Sequence, residues 1–191
     1  KTNCRECGFV TCLAFAMALA KKSVSIDKCP YLTLQAKKAL EESSLPPIKL
    51  VTIGAGEDKL EVGNETVMFR HEEKFHRPAG IGFIIEDNLN DAQIQERLGR
   101  INKLKFERVG QELKVNLVAI RQNGEAKRFV EAVKLAVNNT TLALVLMSSD
   151  LIALKLALEL TKDKKPLIYG ATKDNLIGIS QLAKEFKAAL V

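Results

Sequence analysis

The four cysteines of this chain all fall within its first 29 residues, and none follows in the rest of the 191. A disulfide scaffold spreads its cysteines over the fold that it staples. Here they gather at one end, at Cys4, Cys7, Cys12 and Cys29, spaced C-x2-C-x4-C-x16-C. Gly8 follows the second cysteine and Pro30 the fourth. Four thiolates in so short a segment can enclose one metal centre. A 4Fe–4S cluster takes four soft ligands, one per iron, and accepts uneven loops between them. Zinc favours two tight pairs or histidine partners. Only one tight pair exists here, and no histidine precedes His71. The four cysteines are therefore read first as ligands of a 4Fe–4S cluster. Zinc, and free or disulfide-bonded cysteines, stand as the alternatives.

The chain changes character at Ser43-Ser44-Leu45-Pro46-Pro47, where prolines stop a helix and favour extended backbone. This predicts a cluster domain with its linker over 1–46 and a second domain over 47–191. The linker around Ser43–Pro47 is expected to be mobile. Within the first segment, Leu13, Met17 and Ala20 predict a helix over Cys12 to Lys22, with Thr11 as its N-cap. Leu13, Phe15 and Met17 are expected to shield one side of the cluster. A second helix is predicted over Leu32 to Glu42. Beyond the linker, Ile48–Gly54 and Thr66–Arg70 read as strands, with a short one at Lys59–Val62 between them.

From Ile81 the pattern becomes strand, helix, strand, helix. Apolar runs at 81–85, 115–120, 142–147 and 166–170 suit buried parallel strands. Between them lie helical stretches, for which Asn90, Asp150 and Asp174 are the expected N-caps. Four such units fit a doubly wound sheet or half of a (β/α)8 barrel. The fold class is thus α/β: a small N-terminal 4Fe–4S domain, then a TIM-barrel-type domain of which about half is present. Because the chain opens on Lys and stops after the fourth helix, further residues are expected on both sides.

Composition narrows the functions. With 47% hydrophobic and 27% charged residues, the chain is an ordinary globular sequence, not a disordered one. The most apolar stretch, Cys12–Ala20, is far shorter than the ~20 residues of a membrane span. A reduced, cytoplasmic protein is expected. The net charge is +6, but Lys and Glu are interspersed and aromatics are only 5%, which argues against nucleic acid as a partner. Charged runs such as KLKFER read as solvated helical surface.

The segment CRECGFVTCLAFAMALAKK…DKCPYLT, followed by PPIKLVTIGAGE and ETVMFRHEEKF, resembles the large (gamma) subunit family of corrinoid iron–sulfur proteins. That family serves the carbon monoxide dehydrogenase/acetyl-CoA synthase system. The cysteine motif alone is shared with electron-transport subunits of the Rnf type. Its union with VTIGAGE and FRHEEKF is more specific. The resemblance implies an N-terminal 4Fe–4S domain held by Cys4, Cys7, Cys12 and Cys29, a central TIM barrel, and a corrinoid (cobalamin) domain outside this segment. It implies a methyl carrier of the reductive acetyl-CoA pathway. The methyl group passes from a methyltetrahydrofolate or related pterin, through a methyltransferase, to acetyl-CoA synthase. The cluster restores Co(II) to Co(I), drawing on a reductive activator or ferredoxin. A small corrinoid iron–sulfur subunit is the implied heterodimer partner. No catalytic residue is assigned to this chain.

Other polar residues have structural uses that compete with functional ones. Glu86-Asp87, Arg121–Asn123, Ser148–Asp150 and Gly170–Thr172 sit at the strand tips, where barrel chemistry resides. Helix capping is the preferred reading for them. His71 and His76 read as surface residues, and Gly54-Ala55-Gly56 as a turn. Two other functional classes stay open. One is an Rnf-like electron-transfer module fused to an unrelated α/β domain; the other is a (β/α)8 enzyme that uses the cluster itself.

Overall fold

The computed structural model describes residues 3–21, 23–44 and 48–191. The chain divides into two compact units, Lys1–Lys49 and Leu50–Val191. Leu45, Pro46 and Pro47, the expected boundary, lie outside the described residues, as does Lys22 at the end of the first expected helix.

In the first unit, helix α1 spans Cys12–Ala20. Thr11 caps it as expected, its hydroxyl accepting from the Ala14 amide at 3.1 Å. Phe15 is buried and meets Phe9 edge-on, with ring centroids 5.7 Å apart. Leu13 and Met17, on the same helix, are more than half exposed. A single 3-10 turn, Ile26–Lys28, leads into Cys29 and buries Ile26. Helix α2 spans Leu34–Ser44. The Thr33 hydroxyl accepts from the Ala36 amide at 3.2 Å and starts the helix. Ser43 and Ser44 thus belong to α2 and not to a linker, since two serines alone do not remove the amides that prolines do.

The second unit opens with a small antiparallel pair, β1 (Val51–Ile53) and β2 (Leu60–Val62). The strand expected at Thr66–Arg70 does not form. The buried Glu65 carboxylate accepts from the amides of His76, at 2.7 Å, and Arg77, at 3.0 Å. These bonds close residues 65–77 into a loop.

The main sheet holds β3 (Gly82–Glu86), β6 (Leu117–Arg121), β7 (Ala143–Met147), β8 (Leu167–Tyr169) and β9 (Ala189–Leu190). All neighbours are parallel, and their spatial order is their chain order. Helices α3 (Asp91–Lys103), α4 (Ala126–Asn139), α5 (Leu151–Thr161) and α6 (Leu176–Glu185) connect them. Right-handed crossovers that never reverse direction put every helix on one face of the sheet. The packing agrees, with α3 on α4, α4 on α5 and α5 on α6. A doubly wound sheet, with its reversal point, is therefore not what forms.

The register shows which face is the core. Ile85, Ile120, Leu146 and Ile168 lie opposite one another across four strands, and all are fully buried against the helices. Phe129, Leu154, Leu158 and Ile179 meet them from α4, α5 and α6. The alternate residues form the second face, where Ile84 and Tyr169 are about half exposed. The β1–β2 pair covers part of this face, with Ile53 and Leu60 packed on Ala143, Leu117 and Leu167. Gly54 permits that approach: its φ is +90°, and a Cβ there would stand 3.0 Å from that of Ala143. Among the described residues the sheet is open, with β3 and β9 at its edges. A parallel α/β sheet is thus shown, without closure into a barrel.

Between α3 and β6 the chain makes a second antiparallel pair, β4 (Lys105–Arg108) and β5 (Gln111–Lys114), turning through Val109 and Gly110 at positive φ. Of KLKFER, Lys103 ends α3 and Leu104 caps it, while Lys105–Arg108 lie in the hairpin and not on a helix. Phe106 and Leu113 pair across it, and Lys105 bridges to Glu112 at 2.6 Å.

Candidate functional site

The cysteine loop is held by bonds of its own. Asn3, Arg5 and Gly8 all take left-handed backbone, at φ +46°, +67° and +83°. The Gly8 amide donates to the Arg5 carbonyl at 2.9 Å and closes the turn between Cys4 and Cys7. Gly8 adopts its φ freely, but Arg5 does so at a cost of about 1–2 kcal/mol. Such a conformation persists where surrounding bonds impose it. The Asn3 side-chain oxygen accepts from the Cys12 amide at 2.9 Å, tying the start of the loop to the start of α1.

Cys29 arrives from the far side of a 16-residue excursion, with its amide bonded to the Ile26 carbonyl at 3.3 Å. Two residues later, the Tyr31 hydroxyl donates to Glu6 Oε1 at 2.8 Å. That bond, and the Glu6 charge, raise the Tyr31 pKa above its ordinary value; the charges of Cys4 and Cys29 add to the effect. The phenol keeps its proton and remains a donor. Sequence reasoning missed Glu6 and Tyr31, because a carboxylate and a phenol 25 residues apart carry no pattern.

All four cysteines are partly exposed, and none is paired in a disulfide. Among the described residues, no three His, Cys, Asp or Glu side chains converge closely enough to hold a single metal ion. The donor set itself is four soft sulfurs with no disulfide between them. Its chemistry fits an iron–sulfur centre, which takes one thiolate per iron.

The remaining candidates serve the fold. Asp87 is fully buried and accepts from the amides of Asn123, at 2.9 Å, and Gly124. Arg128 donates through Nε to the Asp87 carbonyl and through Nη2 to that of Leu89. Ser148 bonds Gln122, and Asp150 caps α5 through the Ile152 and Ala153 amides. Asn90 caps α3 in a reciprocal box with Gln93. At α6 the N-cap is Asn175, one residue beyond the expected Asp174; its Oδ1 bonds back to the Thr172 amide. Glu86 and Arg121 pair at 3.6 Å on the second face of the sheet. His71 stacks on Phe69, while His76 offers its amide to Glu65. At the opposite end of the strands lies a cavity of about 610 Å³, reached by Asn102, Lys105, Lys114 and Lys164. Its charges are already engaged: Lys114 with Asp58, Lys105 with Glu112, and Lys164 with two carbonyls at the end of α4.

Two family models match this chain. Residues 1–31, which carry all four cysteines, match one described as "Putative Fe-S cluster". Residues 50–191 match the CO dehydrogenase/acetyl-CoA synthase delta subunit. The corrinoid/iron-sulfur protein large subunit of Moorella thermoacetica is 42% identical over 97% of this chain. The chain belongs to that large-subunit family. Gamma subunits of the acetyl-CoA decarbonylase/synthase complex also align along its full length. Those of Methanothermobacter thermautotrophicus and Methanosarcina mazei are 35% and 39% identical. The chain spans about 42% of the length of each of these relatives. Among the described residues, no helix is long and apolar enough to cross a membrane.

Proposed function

We propose that this chain is the N-terminal part of a methyl-carrier subunit in the cytoplasmic acetyl-CoA pathway, and that its cysteines bind a 4Fe–4S cluster. Cys4, Cys7, Cys12 and Cys29 hold the cluster, which supplies single electrons. Asn3, Thr11 and the Arg5–Gly8 turn fix where three of those thiols are presented. The corrinoid is bound by parts of the subunit outside this segment. The partners are a small corrinoid iron–sulfur subunit, a methyltransferase, acetyl-CoA synthase and a ferredoxin-type reductant.

The observation that carries this reading is the pairing of four free cysteines in a family-matched segment with relatives that align through both units. An electron-transfer module beside an unrelated α/β domain has no observation of its own in its favour. The open sheet is read as the first half of a (β/α)8 barrel. Its strands follow one another in order, and its second face is apolar and partly uncovered.

The test is iron and acid-labile sulfide analysis of the anaerobically purified full-length protein, with EPR after dithionite reduction. Iron and sulfide in equal amounts, about four of each per chain, with a reduced-cluster signal, are expected. One zinc without sulfide overturns the reading.

A further inference from the structure

We infer that Tyr31 is a positioning residue: its hydroxyl holds the carboxylate of Glu6, which lies between Cys4 and Cys7 in the chain, and that negative charge makes the bound centre harder to reduce. The inference rests on the cluster reading above.

Glu6 lies between Cys4 and Cys7 in the most tightly turned part of the loop. Left to itself, an exposed glutamate samples many rotamers and spends much of its time pointing away into water. The 2.8 Å bond from Tyr31 restrains that freedom. A hydroxyl-to-carboxylate bond is charge-assisted, and such bonds are among the stronger ones. Among the described residues it is also the hydrogen bond that joins the segment after Cys29 to the loop bearing Cys4 and Cys7. The bond therefore joins two parts of the ligand set and places a formal charge at the junction.

The sign of the effect follows from charge alone. A cluster gains one negative charge on reduction, so a like charge held nearby opposes the electron. The cations nearest in sequence are Arg5 and Lys28. Both are exposed, and among the described residues no ion pair holds either. Glu6, by contrast, is bonded to Tyr31.

The experiment is an EPR-monitored redox titration of the full-length protein, purified anaerobically with its cluster, at one pH. Glu6→Gln keeps an acceptor oxygen for Tyr31 and removes the charge. Its reduced-to-oxidised ratio at the wild-type midpoint is expected to rise about tenfold, equivalent to about 59 mV for one electron. Tyr31→Phe keeps the charge but frees it, and should give a smaller rise of the same sign. Both variants should carry wild-type iron and sulfide. A merely structural clasp would change cluster retention and leave the midpoint where it is, and an unchanged midpoint in fully loaded Glu6→Gln overturns the inference. If Tyr31→Phe sheds iron, Glu6→Gln decides alone, because its amide preserves the bond. Wild-type protein without labile sulfide overturns the cluster reading, and this inference with it, before any variant is made.

Discussion

The two units of this chain are held together by different means. Among the described residues the first buries two hydrophobic side chains, Phe15 and Ile26, while the second buries 25. A unit of some fifty residues with so little apolar burial cannot offset its chain entropy by packing alone. Small domains of this kind rely on a disulfide, a metal or a partner. Its cysteines form no disulfide. The second unit has a continuous core between sheet and helices, with Ile85, Ile120, Leu146 and Ile168 aligned across the strands. The contrast teaches that one chain can join a unit with too little apolar burial to stand on packing alone to one that depends on hydrophobic burial.

The contrast breaks most sharply under metal removal. Anaerobic chelation of the full-length protein should abolish hydrogen-exchange protection in α1 and leave that of β6 and β7 unchanged. Binding free energy in small metal domains is largely folding free energy. Protection lost equally in both units would mean that the second also leans on the metal. A core substitution should do the reverse. Phe129 is fully buried between α4 and the sheet, and Phe129→Ala should cost the second unit about 3–5 kcal/mol. Urea unfolding followed in that unit should show the loss, while iron content per chain stays at the wild-type value.

The smallest effect is local and acid-dependent. The His76 amide bonded to Glu65, with the Arg77 amide beside it, holds the carboxyl below its ordinary value of 4.5. Because the folded value is the lower one, this contribution is complete above the unfolded pKa and is lost as pH falls through the folded pKa. Amide exchange at His76 and Arg77 should accelerate there beyond its intrinsic pH dependence, ahead of β6 and β7. Glu65→Gln should remove that extra acid sensitivity. Identical acid profiles for wild type and variant would show that Glu65 does not close the loop.

Much of this organisation was legible in the chain itself. The cysteine spacing located the candidate site, and Thr11, Asn90 and Asp150 marked helix starts where their side chains do cap. The buried parallel strands appeared within a residue or two of their expected starts, because runs apolar on both faces have few other uses. The misreadings have physical causes. Thr66–Arg70 has strand-like residues, but two amides eleven and twelve residues beyond Glu65 close it as a loop. KLKFER resembles a charged helix face until Val109-Gly110 turns it back on GQELK as a hairpin.

What the sequence determined by itself is what short-range chemistry can specify: ligand types, caps, hydrophobic period and the division of cysteines from core. Those features depend on residues a few positions apart, and their meaning survives without a fold. Only the tertiary structure decided which face of the sheet is covered, how β1–β2 seats on Ala143, and that Tyr31 reaches Glu6. Each of these joins residues far apart in the chain. Their contact depends on loop closure and register, which no local pattern encodes.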